Sequence, residues 1–220
     1  MVSFASVWEY ISNDWSATLK FVLIAGIAFL IPFIGEIFVM GLMIKSISNV
    51  LMKKEIPDPM ENISETLLDG LKYLIFAGII SIPLIIITWL TFGALIVSMI
   101  TSFSASAQMM STAMFLIMQW IPALVILTLI YLLILPPLTV NYAEKKKFSA
   151  FFDIAKAFRV IFNNFGDWLR MLLITFVYSV GITIVGLLVS FTFIGVLLIP
   201  PISLLVSAKI LGEWFADNAK

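Results

Sequence analysis

Apolar and polar positions along this chain fall into long blocks, not into the short alternations of a water-soluble fold. From Tyr73 to Ala143 there are 71 residues without an Asp, Glu, Lys or Arg, and from Met171 to Ala208 another 38. A surface facing water carries about a quarter or more charged residues, so hydrocarbon must solvate these runs. A helix needs roughly 20 apolar residues to cross the bilayer core. The pattern predicts membrane segments over 73–100, 113–135, 169–191 and 195–212. The small, hydroxyl-rich stretch 101–112 joins the first two, and Pro136-Pro137 is expected to end the second.

One further apolar segment, Phe21 to Ile44, is interrupted only by Glu36 and is broken in the middle by Ile31-Pro32-Phe33-Ile34-Gly35. Pro removes a helical hydrogen bond and Gly loosens the backbone. Two arrangements fit: a kinked helix that crosses once, or two short helices that meet at the break and return to the same side. In either, Glu36 is an ionisable group at membrane depth, a functional suspect by default. It follows the break, where a helix N-terminus favours a carboxylate. Glu36, Pro32 and Gly35 are therefore the candidate functional residues.

Amphipathic stretches flank the apolar ones. Trp8, Ile11 and Trp15 share a helical face in an interfacial helix expected over 4–18, as Trp and Tyr favour the lipid–water boundary. Asp58 as N-cap and Pro59 at the first helical position start a second helix over 59–72. It aligns Met60, Ile63, Leu67, Leu71 and Leu74, with Asp58, Glu61, Glu65 and Asp69 on an acidic line expected to face water. A third, over 149–165, repeats Phe151, Ala155, Phe158, Phe162 and Phe165. Lys145, Lys146, Lys147, Lys156 and Arg159 lie beside that stripe and are candidates for contact with anionic lipid headgroups.

Composition narrows the chemistry. The chain of 220 residues has a mean hydropathy of +1.13 and zero net charge, so nothing electrostatic points to nucleic acid. Without cysteine or histidine it lacks thiolate ligands, the commonest general base and the commonest metal ligand. No HExxH, GxSxG or paired intramembrane carboxylates occur. No enzymatic activity, cofactor or metal is expected. The opening residues lack the basic start of a signal peptide, so no cleavage is expected.

Lysine and arginine set the orientation. They gather in 45–72 and 141–170 and are missing from 101–112. By the positive-inside rule the first two are cytoplasmic and the third external, in a multi-pass protein of the cell membrane. The side of the N-terminus depends on the fate of 21–44. The expected fold is all-α: one polytopic transmembrane helical bundle over 1–220, with two cytoplasmic amphipathic helices and a Pro/Gly-broken first segment.

The run Ile31-Pro32-Phe33-Ile34-Gly35, then Gly41-Leu42, Ile47-Ser48-Asn49-Val50-Leu51, Pro57-Asp58 and Leu68-Asp69-Gly70-Leu71-Lys72 resembles the front half of the domain-of-unknown-function 4013 family. Gly166-Asp167-Trp168-Leu169 and Pro200-Pro201-Ile202-Ser203-Leu204 resemble its back half. The resemblance implies a small polytopic membrane protein, of a kind found largely in archaea and also in bacteria. It carries no activity across, and Lys45 stands where the family has an arginine. The expected role is a scaffold or accessory subunit acting through its membrane-surface helices, with a protein partner or a second copy of itself. The alternative is a small transporter or channel using the broken segment and Glu36.

Overall fold

A computed structural model describes residues 2–101, 107–189 and 192–218. Among them every regular element is helical. The chain divides into two compact units, one of Met1–Leu74 with Pro136–Lys220 and one of Ile75–Leu135.

The first unit begins with α1, Phe4–Ser12, whose start is closed by reciprocal hydrogen bonds between Ser3 and Ser6. The single helix expected over 4–18 is instead two. Asp14 accepts a hydrogen bond from the Ala17 amide at 2.9 Å and so opens a new helix, α2, over Trp15–Ala28. α2 ends where the break was expected, and α3 resumes at Ile34 and runs to Leu51. Between them Phe33 adopts φ 62°, a left-handed conformation costly for a bulky residue. Pro32 has no amide hydrogen to continue the helix. The chain therefore reverses. Gly35 makes this possible, since a Cβ there would collide with the Ala28 carbonyl. Lys20 of α2 pairs with Asp58, which lies beyond α3. Lys45 of α3 donates to the carbonyls of Asp58 and Glu61. Both ends of the segment thus sit at one end of a helical hairpin, which stands in place of the single kinked helix.

α4 spans Ile63–Thr101 and starts four residues later than expected. Asp58 does not cap it. Its carboxylate accepts from Met60 N at 2.9 Å, closing a local turn, and Asn62 at φ 52° interrupts the helix path. α5 covers Ala107–Lys145 and runs straight through Pro136-Pro137. Pro83 lies within α4, and Pro200 and Pro201 within α8. Prolines are tolerated inside such helices because neighbouring groups can satisfy the freed carbonyls. The connection expected over 101–112 is shortened by the start of α5, and its residues 102–106 lie outside the described residues.

After a short 3-10 turn, Phe148–Phe152, come α6, Ile154–Asn163, α7, Phe165–Val189, and α8, Phe193–Asn218. The helix expected over 149–165 is split because Asp153 caps a new start by accepting from Lys156 N at 3.1 Å. α8 is the hub of the first unit. It packs on α1, α2, α3 and α7, and buries Leu205, Ala208, Ile210, Trp214 and Phe215.

The second unit contains the parts of α4 and α5 that fall within Ile75–Leu135. Within it Ser81 and Tyr131 share a hydrogen bond of 2.9 Å, and Tyr131 reaches the Ala77 carbonyl. Ile85, Trp89, Leu90, Ile126 and Leu129 are exposed. Across the described residues five helical stretches are long and apolar enough to cross a membrane: Ile34–Leu51, Ile63–Leu90, Ile121–Lys145, Phe165–Val189 and Leu197–Asn218. They are what a multi-pass membrane protein requires.

At the start of α4 the acidic line divides, Glu65 staying exposed and Asp69 being buried. Thr66, Asp69 and Gly70 are buried, whereas Ile63, Leu68 and Leu71 are exposed. Gly41 of α3 and Gly70 of α4 let the two backbones touch. A Cβ at Gly41 would strike the Thr66 carbonyl, and one at Gly70 the Ile37 carbonyl. Small residues at close crossings are how helices pack when burial of apolar surface gives no preference for the interior.

Candidate functional site

Three places in the first unit bear on function. The deepest centres on Asp69, 3% exposed. The Tyr142 hydroxyl donates to one carboxylate oxygen at 2.5 Å, the Lys146 ammonium contacts the other, and Lys72 lies at 4.0 Å. Tyr142 is held by stacking on Phe151, with ring centroids 4.1 Å apart. Beside it, Lys156 donates to Asn141 at 2.9 Å and Glu144 at 3.1 Å and covers the Phe215 ring. Asn141 in turn donates to the Ala150 carbonyl. A carboxylate so fully partnered fastens α4 to α5.

The second is a cleft of about 280 Å³ walled by Ser6, Tyr10, Lys53, Lys54, Lys209 and Glu213. Lys209 and Glu213 pair at 2.8 Å, one helical turn apart on α8. Ser6 donates to Glu213 at 2.8 Å, and Lys209 stands over the Tyr10 ring. Burial pushes the Tyr10 phenol above its ordinary pKa, so it stays neutral. Charges of both signs line this cleft, which suits a polar partner and favours neither anion nor cation. Among the described residues no three carboxylates gather in a metal-holding group.

The third is the hairpin tip. Phe29, Leu30, Ile31, Phe33 and Ile34 are all exposed, Phe33 by 80%. Gly35 is buried against α2, Pro32 is exposed, and Glu36 is exposed in the first turn of α3. Among the described residues Glu36 has no ion-pair or hydrogen-bond partner, so it sits as a lone acid within an apolar cap.

The basic residues expected at the membrane surface separate into two sets. Lys146 is taken up by Asp69, and Lys156 by Asn141 and Glu144. Lys145 pairs with Asp153 at 3.6 Å, while Lys147 and Arg159 are exposed. On α6, Ala157, Val160 and Ile161 face inward, and Ile154, Phe158 and Phe162 face outward, Phe162 by 68%.

The resemblance carried by the Pro-Gly break and the Gly41/Gly70 contact extends over most of the fold. A family model described as "Protein of unknown function (DUF4013)" matches residues 24–206. The chain belongs to the DUF4013 family. No curated protein and no solved structure matches it.

In this DUF4013 protein the matched region holds the hairpin tip, the Asp69 cluster and α6, and stops short of Lys209 and Glu213. Sequence reasoning left Asp69 on a solvated acidic line and assigned Tyr142 no role. A signal was present. Asp69 and Lys146 stand just outside the two ends of the 71-residue uncharged run. If that run goes out and comes back, its ends meet, and opposite charges there must pair. The cleft had no such signal, because α1, the 53–56 turn and α8 are remote in sequence.

Proposed function

We propose that this protein is a membrane scaffold or accessory subunit of the cell membrane, working from its cytoplasmic side. In this reading α4, α5, α7 and α8 cross the bilayer, and 45–72 and 141–170 are cytoplasmic. The connection 101–112 is external. The α2–α3 hairpin is re-entrant, entering and leaving from the cytoplasm. α6 lies along the inner surface with Phe158 and Phe162 in lipid and Lys147 and Arg159 toward headgroups.

The observation that carries this is α6. Its inward face is filled by Ala157, Val160 and Ile161, yet its larger apolar residues are left bare beside exposed cations. Such a face needs lipid or a partner to cover it. The mixed-charge cleft at the same polar end offers a partner both donors and acceptors. The test is mild-detergent purification of the intact chain from its native membranes after crosslinking from Lys53 and Lys54. A stoichiometric protein partner supports the reading. Recovery of the chain alone, together with solute or ion flux in liposomes, overturns it.

The second reading, a small transporter, is favoured by one observation, the lone Glu36 in the apolar hairpin tip. It requires that Glu36→Gln change flux in reconstituted liposomes while leaving the melting temperature unchanged.

A further inference from the structure

We propose that the groove between the end of α3 and the last turns of α8 docks an acidic segment of a protein partner, whose carboxylates pair with Lys53 and Lys54. This rests on the scaffold reading and names the chemistry of the partner it requires.

The groove consists of two concavities with a common wall. The first, about 430 Å³, is walled by Val50, Lys53, Lys54, Lys209, Glu213 and Asp217. The second, about 440 Å³, carries on past Lys53 and Ala216 to Leu51, Met52 and Glu144. Most of the charges are already engaged. Lys209 pairs with Glu213, Glu144 pairs with Lys156, and Asp217 holds a partner. Lys53 and Lys54 are exposed, and among the described residues their side chains have no ion-pair or hydrogen-bond partner. Glu9 and Glu55 wall the mixed-charge cleft and not this groove. What remains is a pair of adjacent cations, complementary to an anion.

Lys53 supplies an independent sign. It stands at φ 57° just past the end of α3, in the left-handed conformation that glycine adopts most readily. Its amide donates to the Val50 carbonyl at 3.0 Å, and that of Lys54 to the Asn49 carbonyl at 2.8 Å, which closes the helix end. A lysine side chain adds strain there and nothing to that closure. Lys146 follows α5 in the same conformation, at φ 54°, and its ammonium takes the Asp69 carboxylate. Lys53 has the same setting without the carboxylate, which assigns that role to a partner. The shape of the groove says what bears it. Lys209 and Asp217 lie about 12 Å apart along α8. Beyond them the groove reaches Met52, an apolar side chain 53% exposed. A phosphate or a small dicarboxylate would fill one end and leave Met52 bare. An extended segment with paired acids and a neighbouring apolar residue covers both.

The experiment is fluorescence anisotropy of the full chain in detergent, titrated with labelled decapeptides that each carry two neighbouring glutamates and one leucine at varied spacing. The expected result is saturable binding at one spacing or more, lost when the glutamates are replaced by glutamines. Lys53→Gly should weaken it about tenfold or more. By relieving the left-handed strain it should also raise the melting temperature by about 2–4 °C. Ala216→Leu, which narrows the groove without touching a charge, should weaken binding similarly. Lys147→Gln, which removes an exposed cation elsewhere, should leave it unchanged. No saturable binding, or equal loss in Lys147→Gln and Lys53→Gly, would overturn the site. Displacement by inorganic phosphate at the peptide's own concentration would overturn the segment as occupant. If Ala216→Leu fails to fold by circular dichroism, Lys53→Gly decides alone. A stoichiometric native partner beside peptides that do not bind would overturn the groove and spare the scaffold reading. Peptide binding beside solute flux and no native partner would overturn the scaffold reading instead.

Discussion

Lys20 Nζ stands 2.5 Å from Asp58 Oδ2, although Asp58 lies 38 positions farther along the chain, beyond α3. Both side chains are about half exposed, so the pair adds little stability and instead reports the path of the chain. Lys20 precedes the apolar segment and Asp58 follows it. Their meeting is what converts a candidate single crossing into a hairpin.

The Asp58 carboxyl should titrate below the usual aspartate value of about 3.9. The Lys20 hydrogen bond is the main cause, with the Met60 amide second. Because the folded pKa is depressed, any stability linked to it is complete above the unfolded value and is lost as pH falls through the lower folded value. Whatever small part this pair has in acid unfolding should therefore appear only below about pH 4. Lys20→Gln should move the carboxyl back up toward the ordinary value, as read by NMR titration of the chain in micelles.

Gly70→Ala and Gly78→Ala make the same change on one helix and should have opposite effects. At Gly70 the added methyl meets the Ile37 carbonyl and the Gly41 amide; at Gly78 it meets nothing within 4 Å. Thermal unfolding in detergent should show a loss of about 1–3 kcal/mol for the first. For the second it should show a gain of up to about 1 kcal/mol from helix propensity.

Asp69→Ala removes the acceptor shared by Tyr142 and Lys146. A broken buried pair costs about 3–5 kcal/mol, and partial exposure of Lys146 puts the expected loss at the lower end. Tyr142→Phe should cost about 1.5–3 kcal/mol, since it removes one hydrogen bond to a charge. Denaturant titration of both single variants and the double variant should show coupling, with the double losing less than the sum.

The chain has no cysteine, so single-cysteine labels report one place each. An environment-sensitive dye at Phe162→Cys should shift toward an apolar spectrum when the protein enters liposomes, and one at Ser149→Cys should not. Phe162→Ser should change intrinsic stability by less than about 0.5 kcal/mol, since Phe162 is largely exposed. An unshifted spectrum at Phe162 would show that α6 does not lie in lipid.

Much of this architecture is written in where charges stop. The two uncharged runs locate α4 with α5 and α7 with α8, and Pro32 with Gly35 locates the hairpin turn. The errors share a physical origin. The pattern over 59–72 set Asp69 on an acidic line expected to face water. In lipid a carboxylate does better among protein partners, and Thr66, Asp69 and Gly70 face the protein. Pro136-Pro137 was read as a stop by the same habit. Asp14, Asp58 and Asp153 each had two local options, capping a helix or closing a turn. Asp14 and Asp153 cap new helices, and Asp58 closes a turn. Nothing short of the folded neighbourhood distinguishes those outcomes.

The hairpin also fixes a parity. In the proposed topology the α2–α3 hairpin enters and leaves on one side and so adds no passage. The four long helices proposed to cross add an even number. On that proposal Val2 and Asn218, which line one small cavity, open into one compartment. Reporter fusions at the two termini should light up, or stay dark, together.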